Sequence, residues 1–235
     1  MKKDSLRRLI NTGMVLEITG EYKTPYTGVT GESERIRLRK TKYRRGYYRM
    51  EGVKGYELFY VREPIEVTEL QVKDRNGTWR TVMVDDPLHW LGMQELAELC
   101  FPGSVLTTGL GMGLILHHLV KRHDISRIKV IEIDPDFVEF VKPYIPKDPR
   151  IEIEIDDYFH YIVRTDEKFE NAIVDLWTVR EDDTREYRRQ VLLSMLSAYV
   201  LTKHRIPNVL IWGIRGYTFE KWENEERPRT VDKSV

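Results

Sequence analysis

The feature that most constrains the fold is an alternation, from residue 86 onward, between short apolar segments and segments with helical periodicity. The apolar segments are "SVLTTG", "RIKVIEID", "RIEIEI", "FENAIVDLW" and "NVLIWGI", and helical patterns such as "PDFVEFVKPY" and "TREYRRQVLLSMLSAYVLTKH" lie between them. Strands that alternate with helices predict βαβ units, right-handed crossovers and a parallel sheet. In such a sheet, ligands bind beyond the carboxyl ends of the strands, where the strand order reverses.

Two residues mark the start of the first helix in this series, "DDPLHWLGMQELAELC". Asp86 is expected to cap this helix, because its side chain can accept hydrogen bonds from the first free N–H groups. Pro87 is expected at the first helical position, since proline has no N–H group to leave unsatisfied there. A second helix is expected from about residue 112 to residue 122, directly after the first strand.

The segment before residue 86 has the pattern of a small antiparallel sheet. Short β-like runs, "MVLEIT", "RIRLRK", "GYELFYV", "IEVTELQVK" and "TWRTVMV", alternate with turn residues. Asn76 and Gly77 lie between the last two runs and predict a hairpin there. We therefore predict a small N-terminal antiparallel β-domain at residues 1–85. A Rossmann-like, doubly wound α/β domain with a mainly parallel sheet should follow at residues 86–218, and a charged tail at residues 219–235.

The composition disfavours several classes of protein. The 235 residues include 38 basic and 38 acidic side chains, so no overall field attracts nucleic acid or an anionic membrane. The single cysteine, Cys100, excludes an internal disulfide and a cysteine-rich zinc site. No segment approaches the run of about eighteen apolar residues that a membrane helix needs, and the N-terminus lacks the apolar core of a signal peptide. We expect a cytoplasmic protein with no metal site and no membrane partner.

Residues 35–49 form a strongly basic segment. The segment "RIRLRKTKYRRGYYR" contains eight basic residues, three tyrosines and no acid. Basic residues interleaved with aromatic ones can hold phosphates and stack on bases. A strand with one solvated basic face explains the same pattern and is the interpretation we favour, with nucleic acid kept as the less favoured partner.

Three alternate glycines follow the first strand of the α/β region. Gly109, Gly111 and Gly113 in "TTGLGMGL" allow a ligand to lie directly on the backbone, with the start of the next helix facing it. The spacing differs from the dinucleotide pattern G-x-G-x-x-G, because Leu114 stands where the third glycine would be. This difference disfavours NAD. A turn that only packs a helix against a strand is the alternative.

Acidic residues stand at the ends of the next three strands. Glu132 ends the second strand in "VIEIDPD", Asp157 follows the third in "IEIDDYF", and Asp175 ends the fourth in "AIVDLW". A single acid at a strand end means little, because loops are polar. Three acids in register with a glycine-rich first turn indicate a binding site.

This set of motifs resembles the class I S-adenosylmethionine-dependent methyltransferase superfamily and, within it, the spermidine-synthase-like branch. The matching segments are "TTGLGMGL", "VIEIDPDFVEFV", "EIDDYFHYI" and "NAIVDLW", and the resemblance covers roughly residues 83–178. The β-rich segment that leads into "MVDDPLHWLGMQEL" is similar to the N-terminal hairpin domain of that branch.

The resemblance implies a nucleoside-binding transferase and a role for each motif. Glu132 would hold the ribose, Asp157 the adenine, and the turn from Gly109 to Gly113 the amino-acid or aminopropyl end of the donor. Asp175 would lie at the reacting group, where it binds the donor and orients or deprotonates an acceptor amine. The implied donor is S-adenosyl-L-methionine, its decarboxylated form or the related methylthioadenosine. The implied partners are a small-molecule acceptor and a second copy of the chain, because members of this branch commonly dimerise.

Two departures from the branch's motifs bear on the reaction. Aminopropyltransferases typically have G-G-G-D-G-G in the first turn and D-S-S-D after the fourth strand. Here Met112 and Thr178 replace the acids at those two positions. We therefore expect methyl transfer by in-line displacement at the sulfonium, with polyamine aminopropyl transfer as the alternative. A relative that has lost catalysis and binds a partner through the basic segment is a third hypothesis, which the joint presence of Glu132, Asp157 and Asp175 disfavours.

Overall fold

The computed structural model describes residues 16–18, 22–52, 55–177 and 184–212. From residue 86 onward the five strands follow one another as the sequence predicts, and the helices between them include one, at Tyr158–Arg164, that the sequence analysis did not predict. The twelve strands of the described part are β1 (Leu16–Ile18), β2 (Gly31–Glu32), β3 (Ile36–Tyr43), β4 (Gly46–Gly52), β5 (Gly55–Val61), β6 (Ile65–Lys73), β7 (Trp79–Val84), β8 (Gly103–Thr108), β9 (Ile125–Glu132), β10 (Ile151–Ile155), β11 (Asn171–Val174) and β12 (Asn208–Ile211).

The helices of the described part all follow residue 86. They are α1 (Pro87–Glu98), α2 (Leu114–Leu119), α3 (Pro135–Val141), α4 (Tyr158–Arg164) and α5 (Arg185–Lys203), with a 3₁₀ turn at Lys142–Tyr144. Asp86 caps α1 as expected, since its side chain accepts hydrogen bonds from the backbone N–H groups of Leu88 and His89, and Pro87 occupies the first turn.

Strands β8 to β12 form one five-stranded sheet in the order β10-β9-β8-β11-β12, and every pairing in it is parallel. The chain moves outward from β8 to β10 and then returns to the other side of β8 with β11. The strand order therefore reverses between β8 and β11, which is the position where a doubly wound sheet binds its ligand. The predicted Rossmann-like fold class is confirmed.

The first half of the chain forms two further sheets, with the orders β1-β5-β4 and β2-β3-β6-β7. The hairpin predicted at Asn76 and Gly77 is confirmed, because β6 and β7 pair in antiparallel fashion and Gly77 has a φ of +79°. The prediction of one antiparallel sheet is wrong in two respects. The strands divide between two sheets, and β1 pairs parallel to β5.

The basic segment at residues 35–49 spans two strands, β3 and β4, and not the single strand that we expected. Several of its cations have protein partners. Arg35 pairs with Asp134 and Asp136, and the Arg37 guanidinium donates to Gln71 and lies 4.3 Å from the centre of the Trp79 ring. These contacts give the segment a structural use without nucleic acid.

The two halves of the chain share one hydrophobic core. Tyr26, Ile36, Leu38 and Leu70 from the β-rich half belong to the same buried cluster as residues of α1, α2 and the parallel sheet. The predicted domain boundary between residues 85 and 86 therefore lies between two parts of the chain that pack against each other. The division into domains remains a prediction, and residues 219–235 lie outside the described part of the chain.

Two helices differ from the sequence predictions. Helix α2 begins at Leu114, so Met112 and Gly113 precede it. Helix α4 was not predicted, because "YFHYIVR" is rich in aromatic and β-branched residues that favour strands. Its start is fixed by Asp157, whose side chain accepts hydrogen bonds from the backbone N–H groups of Phe159 and His160. In the described ranges, no helix is both long enough and apolar enough to cross a membrane.

Asp85 is a fully buried acid at the junction between the two halves. Its Oδ1 accepts a hydrogen bond from the Thr68 N–H at 2.5 Å, and its Oδ2 accepts one from the Thr24 hydroxyl. Burial, helped by the neighbouring Asp86, raises the pKa of Asp85 from 3.8 to about 6, although these hydrogen bonds oppose the change. Between those two pH values the native protein holds a proton that the unfolded chain has released.

Replacing Asp85 with asparagine should therefore change how stability depends on pH. The native protein loses stability as Asp85 ionises, whereas asparagine does not ionise. The free energy of unfolding of Asp85→Asn minus that of the unmutated protein should rise by up to about 3 kcal/mol from about pH 4 to about pH 7. Urea denaturation at stepped pH measures this difference. The exposed Asp166→Asn is the matched control, and a flat result for Asp85→Asn would contradict the raised pKa.

Candidate functional site

A cavity of about 430 Å³ lies at the carboxyl ends of the parallel strands. All five strands of the parallel sheet contribute the residues that follow them, and β6, β7 and α1 complete the wall. The lining includes Val72, Val82, Met83, His89, Met93, Thr108, Gly109, Leu110, Gly111, Glu132, Ile133, Phe137, Asp156, Asp157, Tyr158, Phe159, Asp175, Leu176, Trp177 and Trp212. The cavity is thus placed at the switch in strand order, and its size suits a nucleoside.

The three glycines of the turn are required by the protein's own packing. Gly109, Gly111 and Gly113 have φ values of +68°, +49° and +63°, in the left-handed region that side chains rarely adopt. A Cβ atom on Gly109 would lie 2.7 Å from the Asp175 carbonyl oxygen, and one on Gly113 would lie 2.5 Å from Cγ2 of Ile145. Gly109 and Gly111 line the cavity, whereas Gly113 is not among the lining residues.

The backbone N–H groups of this turn are largely used within the protein. The Gly109 N–H donates to the Ile131 carbonyl at 2.9 Å, the Leu110 N–H to Glu132 Oε2 at 2.8 Å, and the Gly113 N–H to the Leu110 carbonyl at 2.7 Å. These groups are therefore not available to hold an anionic end of a ligand.

Met112 does not face the cavity. Its side chain is fully buried in the core that the two halves share, and its carbonyl accepts a hydrogen bond from the Tyr26 hydroxyl. The interpretation that Met112 stands where an acid would meet the donor's amine is therefore wrong for this chain. Its side chain packs behind the turn, so its apolar character gives no information about the ligand.

Glu132 joins the glycine turn to the end of β9. Its side chain is buried, with a relative exposure of 9% for the residue, yet it lines the cavity. One oxygen accepts from the Leu110 N–H at 2.8 Å and the other from the Asp134 N–H at 3.0 Å. An ionised carboxylate has about four acceptor positions, so both oxygens keep the capacity to accept from hydroxyl groups of a ligand.

Asp156 and Asp157 lie together after β10 and both line the cavity. Oδ1 of Asp157 caps α4, so this residue has a structural role that the sequence analysis did not anticipate. Asp156 pairs with Arg164, which lowers the pKa of the Asp156 carboxyl group. Asp157 remains the candidate for contact with the base of a nucleoside, through the oxygen that does not cap the helix.

Asp175 follows β11 at the centre of the switch point. Its N–H donates to Thr108 Oγ1 at 3.0 Å, which ties the ends of β8 and β11 together. Trp177, two residues further on, donates its indole N–H to Ser194 Oγ of α5 at 3.1 Å. The structure therefore places Gly109, Gly111, Glu132, Asp157 and Asp175 on one cavity, as expected from the sequence.

The sequence analysis named Asp86 only as a helix cap and missed its contact with His89 of α1, which lines this cavity. Nδ1 of His89 lies 2.5 Å from Oδ2 of the buried Asp86, and the His89 ring stacks on Trp212 with centres 5.2 Å apart. Both rings line the cavity. The spacing of an acid and a histidine at i and i+3 in "DDPLH" was the signal available in the sequence, but contact with Trp212 joins residues far apart in the chain.

The cavity combines negative charge with aromatic surface. Four carboxylates line it, from Glu132, Asp156, Asp157 and Asp175. No lysine or arginine is found among the lining residues that the structure describes. Such a surface favours ligands that carry positive charge and a planar ring.

Metal-binding side chains do not converge in the described part of the chain, where no group of three or more could hold an ion. His117 and His118 on α2 are packed against Tyr26 and Trp90, and burial lowers the pKa of His118 to about 4. These two histidines therefore belong to the packing of the helix.

Comparison with known proteins supports the resemblance seen in the motifs. The sequence family described as the spermine/spermidine synthase domain matches residues 96–198. This range contains the glycine turn and all three strand-end acids, and the resemblance to the spermidine-synthase-like branch is confirmed over it.

The relatives share only part of their length with this chain. The polyamine aminopropyltransferase of Pyrobaculum aerophilum is 36% identical over 85 residues, which cover 32% of this chain and 29% of the relative. The enzyme of the same name from Serratia proteamaculans is 36% identical over 79 residues, which cover 31% of this chain and 28% of the relative. The chain therefore matches less than a third of the length of these relatives.

A solved structure of spermidine synthase from Thermotoga maritima is 17% identical to this chain, with a TM-score of 0.40. The superposition covers 66% of this chain and 48% of that structure.

Glu132→Ala should weaken nucleoside binding and also destabilise the protein. If Glu132 holds the ribose, as the resemblance implies, the variant loses a charged acceptor for its hydroxyls, and the dissociation constant for methylthioadenosine should rise at least about tenfold. It also leaves the N–H groups of Leu110 and Asp134 without their acceptor, which should cost about 1–3 kcal/mol of unfolding free energy. Calorimetry and denaturant titration measure the two effects. The exposed Glu139→Ala should change neither, and unchanged affinity in Glu132→Ala would show that this carboxylate only organises the turn.

Proposed function

Because residues 96–198 match the spermine/spermidine synthase domain, we propose that the chain transfers the aminopropyl group of decarboxylated S-adenosylmethionine to an amine. The observation that carries this proposal is the charge of the cavity. Four carboxylates line it, of which Asp156 is paired with Arg164, and no described lysine or arginine is among the lining residues, while both the donor and a polyamine acceptor are cations. The relatives named polyamine aminopropyltransferase support the same reaction.

The nucleoside end of the donor would lie along the ends of β8, β9 and β10. Glu132 would accept hydrogen bonds from the ribose hydroxyls, and Asp157 would accept one from the exocyclic amine of adenine. Gly109 and Gly111 would supply the surface on which the chain beyond the sulfur rests. The aromatic rings of Phe137 and Phe159 provide apolar surface in the same wall.

Among the described lining residues no lysine or arginine could pair with a carboxylate, and this favours the decarboxylated donor. A carboxylate on the donor would enter a cavity that is already negative, and burial of an unpaired charge is costly. The N–H groups of Gly109, Leu110 and Gly113 are engaged within the protein and offer it little compensation. This argument replaces the one from Met112, which had favoured methyl transfer.

Asp175 would hold the acceptor amine at the reacting carbon. The amine nitrogen forms a bond to the carbon of the aminopropyl chain next to the sulfonium, while the bond from that carbon to sulfur breaks. The electron pair of the broken bond stays on sulfur, which leaves neutral methylthioadenosine. The amine gives up one proton, and the carboxylate of Asp175 orients the nitrogen and stabilises its charge.

The test is product formation with the two donors. The unmutated protein should release methylthioadenosine when given decarboxylated S-adenosylmethionine with putrescine or spermidine, as measured by chromatography with mass detection. Asp175→Asn should lower kcat at least about 100-fold and leave the affinity for methylthioadenosine within about threefold, because the nucleoside is held elsewhere. The exposed Asp166→Asn should match the unmutated protein.

Two outcomes would overturn the proposal. Consumption of S-adenosylmethionine with release of S-adenosylhomocysteine, and no reaction of the decarboxylated donor, would assign methyl transfer. Binding of nucleoside without turnover of either donor with any amine would instead support a non-catalytic relative.

A further inference from the structure

We propose that Met83 makes the cavity selective for a donor without a carboxylate, because its thioether occupies the place at the glycine turn where that carboxylate would bind. The inference rests on the proposed function in that the donor's tail beyond the sulfur must lie on this turn. It adds a specificity-determining residue from the β-rich half of the chain, which the strand-end motifs do not contain.

Met83 belongs to β7 and lies against the glycine turn. Its side chain is half-buried, packs against the core that the two halves share and lines the cavity. A Cβ atom built on Gly111 would lie 3.0 Å from Sδ of Met83 and 3.1 Å from its Cε. The end of the Met83 side chain therefore packs on the backbone at Gly111 and leaves no room for a ligand group between them.

The thioether of Met83 also accepts a hydrogen bond from the turn. The Met112 N–H donates to Sδ of Met83 at 3.3 Å. A thioether sulfur is a weak acceptor, and a carboxylate oxygen is a much stronger one. The Met112 N–H is thus directed at a side chain of the cavity wall and is covered by an uncharged atom. A donor carboxylate could use this N–H group only by displacing Met83.

Other N–H groups of the turn have acceptors within the protein. The Gly109 and Gly113 N–H groups donate to backbone carbonyls, and the Leu110 N–H donates to the buried carboxylate of Glu132. Met83 differs from these acceptors because it is an uncharged side chain whose removal would open the cavity wall. The cover that it provides therefore controls whether a carboxylate finds a hydrogen-bond donor here.

An irregularity in the pairing of β6 with β7 brings Met83 to this position. Leu70 of β6 pairs with Met83. The next residue of β6, Gln71, pairs with Thr81, so Val82 is an extra residue in β7. Consecutive residues of a regular strand point to opposite faces, yet both Val82 and Met83 line the cavity. A bulge can re-aim a side chain next to a binding site, and this one directs Met83 onto the turn.

The two donors differ in what they would present to Met83. The decarboxylated donor has a hydrogen atom where S-adenosylmethionine has its carboxylate, so its tail can pack against the thioether. S-adenosylmethionine would bring a carboxylate against an uncharged sulfur in a cavity that carboxylates already line, and burial of an unpaired charge is costly. A site can select one ligand by leaving its competitor without a partner, and Met83 acts in this way.

The experiment measures binding to the full-length protein and needs no turnover. Calorimetry gives the dissociation constants of S-adenosylmethionine and of its decarboxylated form, and the ratio of the first to the second is the selectivity. Met83→Ala removes Sδ and Cε and uncovers the Met112 N–H, so this ratio should fall at least about fivefold. The affinity for methylthioadenosine, which has neither the carboxylate nor the amine, should stay within about threefold.

Two further variants and a control sharpen the result. Met83→Val also lacks the end of the side chain and suits a strand, so the ratio should fall as it does in Met83→Ala. Met83→Leu keeps most of the volume, so the ratio should stay within about threefold of the unmutated value. Leu91→Ala removes an exposed apolar side chain of α1 outside the cavity and should leave both affinities unchanged. Thermal melting shows whether each variant is folded, and Met83→Val provides the reading if Met83→Ala is not.

The outcomes separate this inference from the proposed function. If the unmutated protein prefers the decarboxylated donor and the folded shorter variants keep that preference in full, the role of Met83 is overturned and aminopropyl transfer stands. A fall in Met83→Leu as large as that in Met83→Ala would also overturn it, because the volume at the turn would then not matter. If the unmutated protein binds S-adenosylmethionine at least as tightly, the role of Met83 fails together with the choice of donor. If neither nucleoside binds, both proposals fail.

Discussion

The candidate site depends on how closely β8 and β11 approach each other at Gly109. A Cβ atom on residue 109 would lie only 2.7 Å from the Asp175 carbonyl oxygen, and the Asp175 N–H donates to Thr108 Oγ1. Any side chain at residue 109 would push these two strand ends apart. The strand order reverses here, so this contact also sets the distance between the acids contributed by the two halves of the sheet. Contacts within the protein require the turn to be tight, and the cavity lies directly above this tight turn.

Glu132 connects the glycine turn to the end of β9, and its position places a further negative charge at the cavity. It holds the Leu110 and Asp134 N–H groups while three other carboxylates line the same cavity. Like charges in a partly enclosed space repel one another, and a bound cation relieves that repulsion. The decarboxylated donor would supply a sulfonium and an ammonium group, and a polyamine acceptor would supply at least one further ammonium group. The carboxylates that line the cavity would therefore select cationic ligands.

Local sequence patterns predicted most of the strands, caps and strand-end acids that form this site. They could not predict the directions in which side chains point. Apolar periodicity, the Asp86 cap and the position of acids at strand ends are properties of short segments, and the structure contains all three. Helix α4 was not predicted because its residues favour strands. It forms because parallel strands need a crossover connection and because Asp157 caps it. The direction of Met112 depends on left-handed glycines on either side. The pairing of His89 with Trp212 depends on the whole fold.

The choice between methyl and aminopropyl transfer is a question about charge and not about the fold. The same sheet and turn could position either donor, because a fold does not by itself determine the chemistry of its site. The donors differ by one carboxylate, and a buried carboxylate needs a cation or free N–H groups. In the described part of the cavity wall the charged groups are acids, and three N–H groups of the turn already have acceptors. The fold therefore permits both reactions, while the lining charges favour the donor from which the carboxylate has been removed.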